Sequence, residues 1–215
     1  MFSVLHLSDL HFGPKCRWCG HDARIDAMSL LAELKHSFRT CGIAPYFDAV
    51  AISGDLTSNN QPNGYDAARF FLERLVTDGC CSERRLVLVP GNHDIYWGPP
   101  LAPAAPPFGY VARYEAEQGY REMASRVLGS PEPEFDLHCL SYILVSPTQQ
   151  VMILAMNSCR IEGPQTAALG YVGYDQLWEA METFHFRYEL AAYAGGYVKI
   201  AVPLSPSNTM KTRRK

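Results

Sequence analysis

Long uninterrupted apolar runs are missing from this sequence, so no segment of it reads as a bilayer-spanning helix. The first residues carry no basic leader, and His6, Asp9 and His11 interrupt them, which argues against a signal peptide. Surplus charge is missing too. A formal net charge of −3 and a pI near 6.2 supply no basic field of the kind that gathers nucleic acid without sequence preference. Only KTRRK, at 211–215, concentrates charge. The cysteines, 7 in all, are irregularly spaced in a chain too long to need covalent staples, so most are expected as reduced thiols. There is no internal repeat. These absences lead to the expectation of a cytoplasmic protein with a single domain.

What is present suits that expectation. A chain of 215 residues with 47% hydrophobic residues is long enough to bury one continuous core. Short runs rich in Val, Ile and Leu alternate with longer amphipathic ones, the pattern of an α/β layer protein. Strands are expected over 2–7, 49–53, 86–89, 140–145, 151–156 and 197–202. Helices are expected over 22–40, 65–77, 114–128 and 174–188. The segment GPPLAPAAPPFG, 98–109, is too rich in proline for helix or central strand and reads as a stiff loop, either a plain connection or a lid. Residues 203–215 turn abruptly polar and basic, so the domain is expected over 1–202 with a disordered tail over 203–215.

The first three expected strands each run into chemistry-bearing groups: SDLH at 8–11, SGDL at 53–56 and GNHD at 91–94. In open α/β sheets the carboxyl ends of neighbouring strands line the crevice where ligands bind, so three such ends can converge. Asp9 and His11 lie two apart, which in extended chain places both side chains on one side and suits a shared cation. Asp55 has two oxygens with which to bridge a pair of cations, and Asn92 offers a neutral carbonyl oxygen. Oxygen and imidazole donors without thiolate suit Mn²⁺, Fe or Zn²⁺. Two such ions roughly 3.5–4 Å apart can clamp the oxygens of a phosphoryl group during in-line displacement. Singly, a DxH or a strand followed by GD is more often an ordinary turn. Three in order after three β runs form a constellation.

LSDLHFG, ISGDLT and VPGNHD resemble the first three signature blocks of the calcineurin-like metallophosphoesterases, and ILAMNS and GYVGYDQL continue the likeness more weakly. The resemblance implies a four-layer αββα sandwich with a dinuclear metal centre at the strand ends. It implies Asp9 and His11 as ligands of the first ion, Asp55 as the bridge, Asn92 as a ligand of the second and His93 as the catalytic histidine. His93, beside a ligand but able to point at substrate, suits protonation of a departing alkoxide. Asp94 either orients His93 or caps the following turn, and the cap is the expectation.

The family pattern also has a histidine after a later strand and then a Gly-His-x-His block. Here YVKIAV, 197–202, leads into Pro203 and Leu204, and Gly-His-x-His does not occur. The first site therefore retains Asp9, His11 and Asp55, while the second retains Asp55 and Asn92 and is expected to be weak. His138 and His185 are expected in structural roles, His6 facing the core or a neighbouring layer, and His21 and His36 at the surface. A well-patterned strand running into an unpatterned tail leads to the expectation of a C-terminally incomplete chain.

Two further readings stand beside the hydrolase. One is a catalytically impaired metal-binding relative that acts by interaction; the other is a DNA-processing nuclease of the same superfamily, against which the acidic balance weighs. A small phosphodiester or phosphomonoester is the expected substrate. In CRWCGHD, Cys16 and Cys19 have CxxC spacing with His21 nearby, but zinc needs four ligands and no second CxxC follows. That loop is expected instead at the rim of the site, with Arg17 and Arg24 as candidate phosphate contacts.

Overall fold

Strands β1 (Val4–Leu7), β2 (Ala49–Ile52) and β3 (Leu86–Leu88) form a parallel sheet in the order β1-β2-β3. This computed structural model describes residues 2–13, 23–58, 60, 62–81, 85–95, 110–129, 142–146, 151–159, 178, 182 and 198–201. β2 aligns Val4 with Ala49 on one side and Val50 with Leu86 on the other. Both β2 and β3 are apolar throughout, as a parallel sheet covered on both faces requires.

The two faces carry different residues. Val50, Ile52, Leu86 and Leu88 point toward α1 (Ala23–Thr40), α2 (Pro62–Thr77) and α3 (Tyr110–Leu128), in a core with Leu31, Phe38, Phe71, Leu72, Leu75 and Tyr120. Ala49, Ala51, Val87 and Val89 point the other way and pack on Val151, Ile153 and Ala155. Those residues belong to β5 (Val151–Ala155), which pairs antiparallel with β4 (Tyr142–Ser146) and parallel with β6 (Val198–Ala201). The larger side chains fill the space under the helices. The smaller ones let two sheets approach. The described residues therefore form an α/β protein with a helical layer, a parallel sheet and a second, mixed sheet.

All six expected strands are found, with ends shifted by one or two residues. α2 begins at Pro62 rather than 65, because a proline suits the first turn of a helix, where no N–H partner is needed. Gly64 belongs to the helix as well, for a packing reason: a Cβ there would come within 2.7 Å of the Phe12 carbonyl oxygen. α3 starts at Tyr110, earlier than expected. Of the helix expected over 174–188, Trp178 and Glu182 are described and both are helical. The proline-rich segment 98–109 and the tail 203–215 lie outside the described residues. Lys35 on α1 and Arg74 on α2 both pair with Asp78. No helix among the described residues is long and apolar enough to cross a membrane.

Candidate metal centre

Because the three strands of the first sheet are parallel and adjacent, their carboxyl ends deliver SDLH, SGDL and GNHD to one edge. The chain does not stop pairing where β1 stops. Asp9 N–H donates to the Gly54 carbonyl at 3.2 Å, His11 N–H to Asp55 at 2.9 Å and Phe12 N–H to Leu56 at 2.7 Å. This ties the first loop to the second. Asp9, His11 and Asp55 are thereby brought together, each offering a ligand atom within 4.8 Å of the others. His11 Nε2 lies 3.9 Å from Asp9 Oδ1.

The route to this convergence differs from the sequence expectation. Asp9 and His11 are not on extended chain; their φ angles are 58° and 51°, and Asp55 has 53°. All three sit in the left-handed region, which non-glycine residues occupy at a cost of about 1–3 kcal/mol where the surroundings hold them there. Successive left-handed residues alternate with Leu10, which points into the core at 7% exposure. Asp9 and His11 stay accessible while the apolar residue between them anchors the loop.

Burial divides the cluster. Asp9 is exposed and His11 half-buried, but Asp55 is 1% exposed. Burial raises the Asp55 carboxyl above its ordinary range and Asp9 adds to this, while a bond from His93 N–H and the nearby His93 and His11 rings pull it down. A buried carboxylate beside a second carboxylate and an imidazole, with one oxygen engaged by a single N–H at 3.0 Å, is chemically suited to a divalent cation. The donors are oxygen and nitrogen, which fits Mn²⁺, Fe or Zn²⁺.

His93 follows at Asn92–Asp94, a single turn of 3-10 helix after β3. Its ring stands edge-on to His11 with centroids 4.8 Å apart, and Nδ1 lies 3.0 Å from the Ser58 carbonyl oxygen. A carbonyl only accepts, so that contact places the proton on Nδ1 and leaves Nε2 for chemistry. His93 is exposed and Asn92 half-buried on the same turn.

Asp94 caps this turn by accepting Gly91 N–H at 2.9 Å. It does more than that. Its carboxylate also takes the N–H of Leu56 at 3.2 Å and of Thr57 at 2.8 Å, joining the second loop to the third. Complete burial pushes its pKa up to about 7, with the Asp55 charge adding and the three amide bonds opposing. Gly54 and Gly91 make the close approach possible. At Gly54, with φ 104°, a Cβ would come within 2.6 Å of the Gly91 Cα, and at Gly91 it would overlap the Asp55 amide and Oδ1.

Several groups the sequence did not single out hold the site from behind. Thr57 Oγ1 and Asn60 N–H donate to the His93 carbonyl at 3.1 and 2.9 Å, and the Tyr65 hydroxyl donates to the Asp94 carbonyl at 2.5 Å. A hydroxyl-bearing aromatic on the buried stripe of α2, with Ala68 and Leu72 on the same face, was the available signal for Tyr65.

Other histidines and arginines end up apart from the cluster or outside view. His6 shares a face of β1 with Val4, which packs toward the second sheet, so it lies on the side of the neighbouring layer; it stays exposed, with Nε2 2.7 Å from Ser53 Oγ. His36 is exposed on α1. Arg24 is exposed in the first turn of α1. Arg17, Cys16, Cys19, His21, His138 and His185 lie outside the described residues. Cys41, Cys80, Cys81 and Cys159 are thiols, not disulfides.

An α/β layer protein whose adjacent parallel strands gather carboxylate and imidazole donors at their carboxyl ends has the build of a metal-binding protein. The sequence profile described as calcineurin-like phosphoesterase matches residues 2–196, and the chain belongs to that family. No curated protein sequence matches it.

Proposed function

We propose that this protein is a metal-dependent phosphoesterase that cleaves a small phosphodiester or phosphomonoester at a dinuclear centre. The observation that carries this reading is the convergence of Asp9, His11 and Asp55 within 4.8 Å beside the ring of His93. Asp9 and His11 would hold the first divalent ion, Asp55 would bridge, and Asn92 would reach the second. When bound, such ions neutralise phosphoryl oxygens and lower the pKa of a coordinated water. For the second ion this sequence offers Asp55 and Asn92.

The remaining chemistry falls to the chain's own side chains. His93, with its Nδ1 proton on the Ser58 carbonyl, presents Nε2 outward and in its cationic form hands a proton to the leaving-group oxygen. Asp55 accepts the His93 amide and would also hold the cation, so the proton donor is tied through the backbone to a residue that would hold metal. The helical layer and the two facing sheets support the reading of a four-layer αββα sandwich of the metallophosphoesterase type, whose further helical layer would cover the second sheet. An acidic balance favours a small substrate over nucleic acid. Thiols at all four described cysteines support a reducing compartment such as the cytoplasm.

Hydrolysis of bis(p-nitrophenyl) phosphate with added Mn²⁺ tests the reading. Turnover is expected in the wild type and should be abolished by both His93→Ala and Asp55→Ala. Mn²⁺ binding without any turnover would favour instead the impaired relative that acts by interaction, the reading to which the sparse second site points.

A further inference from the structure

The His93–Asp94 segment is held at every polar position that the described contacts reach. The His93 amide is on Asp55 and its carbonyl on Thr57 Oγ1 and Asn60 N–H. The Asp94 carboxylate is on three amides of the two loops. The Asp94 carbonyl takes the Tyr65 hydroxyl. Thr57 and Asn60 belong to the same loop as Ser58, so on their own they would move with it. Tyr65 is different: it is on α2, whose Ala67, Ala68, Phe71, Leu72 and Leu75 are buried in the helical core.

We propose that Tyr65 is a positioning residue for the phosphoester reaction, fixing the His93 imidazole against the Asp9–His11–Asp55 cluster by anchoring the Asp94 carbonyl to the rigid core helix. This rests on the phosphoesterase reading of the same site. The ring of Tyr65 has its own support. It is buried, at 8% exposure, and a Cβ on Gly119 of α3 would come within 2.6 Å of its Cε2. A glycine inside a helix costs roughly 1 kcal/mol against alanine. Here it makes room for the tyrosine ring. Burial and the nearby Asp94 charge raise the Tyr65 hydroxyl well above its ordinary range, so it stays a donor. Tyr65, Gly119 and Asn60 also line a cleft of about 260 Å³ between α2 and α3, whose lining includes none of Asp9, His11, Asp55 and His93.

Tyr65→Phe keeps the ring and deletes the anchor. Loss of one buried hydrogen bond on the reacting geometry is expected to lower kcat by about three- to tenfold on bis(p-nitrophenyl) phosphate with Mn²⁺. KM and Mn²⁺ affinity should hold within about twofold. Gly119→Ala keeps the hydroxyl but displaces the ring, and should lower kcat in the same sense by less; it serves also should Tyr65→Phe fail to fold. Tyr46→Phe, at an exposed tyrosine, is the control. A second readout does not depend on turnover: in the full chain before metal is added, the ¹⁵N resonances of the His93 ring should shift in both variants and not in the control. Unchanged His93 resonances, or a kcat equal to wild type with only a lower melting temperature, would overturn the proposal. A wild type with no metal-dependent turnover would sink the phosphoesterase reading, while the His93 resonances would still decide whether Tyr65 anchors that ring.

Discussion

The loop after β1 and the joined loops after β2 and β3 meet at one site but are built in opposite ways. The first, bearing Asp9 and His11, is an exposed lip tied down mainly through backbone hydrogen bonds and two buried side chains, Leu10 and Phe12. The second pair is a buried clamp. Asp94 is completely buried and spans three amides, Gly54 and Gly91 touch backbone to backbone, and Tyr65 holds the far side. The lip carries donors whose task is to meet something from outside. The clamp keeps those donors at a set distance from His93. Polar residues at the lip should therefore matter little to folding, whereas those in the clamp should matter a great deal.

Asp94→Ala should show the largest effect. It leaves three buried N–H groups without their acceptor, which is expected to cost about 3–5 kcal/mol in urea unfolding. A loss below about 1 kcal/mol would mean that water or neighbouring groups replace the carboxylate and that the clamp is not what joins the loops.

Asp55→Asn comes next and separates binding from folding. Its remaining carbonyl oxygen can still accept the His93 N–H, so the clamp should survive. Because burial disfavours the Asp55 charge, the metal-free variant should be at least as stable as wild type. What should vanish is stabilisation by Mn²⁺, worth about 2.7 kcal/mol for a site filled at a hundred times its dissociation constant. Thermal shifts with and without Mn²⁺ measure both halves. A metal-free variant much less stable than wild type would place Asp55 among the folding residues rather than the binding ones.

The same contrast explains what was legible beforehand. Strands and donors could be read because each depends on local pattern: VAI and LVL are apolar on both faces, and SDLH, SGDL and GNHD carry their chemistry in consecutive residues. The clamp could not be read in the same way. Asp94 reaches Leu56 and Thr57, and Tyr65 reaches Asp94 from another helix, so each role is fixed by tertiary approach across tens of residues. Left-handed Asp9 and His11 were hidden for a related reason. Spacing alone suggested extended chain, whereas pairing with the neighbouring loop and burial of Leu10 accompany left-handed backbone at both residues.

Gly91→Ala probes how tightly the clamp is closed. The added Cβ would overlap Asp55, and the resulting shift of two backbones is expected to cost about 1–3 kcal/mol. Mn²⁺ affinity should fall with it, because Asp55 is the group displaced. Calorimetric titration of the folded variant checks the second effect, and unchanged affinity would show that the loops separate without moving the donor.

The smallest effect is expected at the lip, where the backbone can be tested apart from the side chain. Asp9 holds φ 58°, a conformation glycine adopts freely and alanine does not. Asp9→Gly should leave metal-free stability within about 0.5 kcal/mol of wild type, whereas Asp9→Ala should fall below the glycine variant by about 1 kcal/mol. Both should weaken Mn²⁺ binding alike, since both delete the carboxylate. Equal stabilities for the two variants would mean that the lip relaxes out of the left-handed region when the carboxylate is removed. The strain would then be held by Asp9 itself, through the hydrogen bond its carboxylate takes from Ser8, rather than imposed by the neighbouring loop.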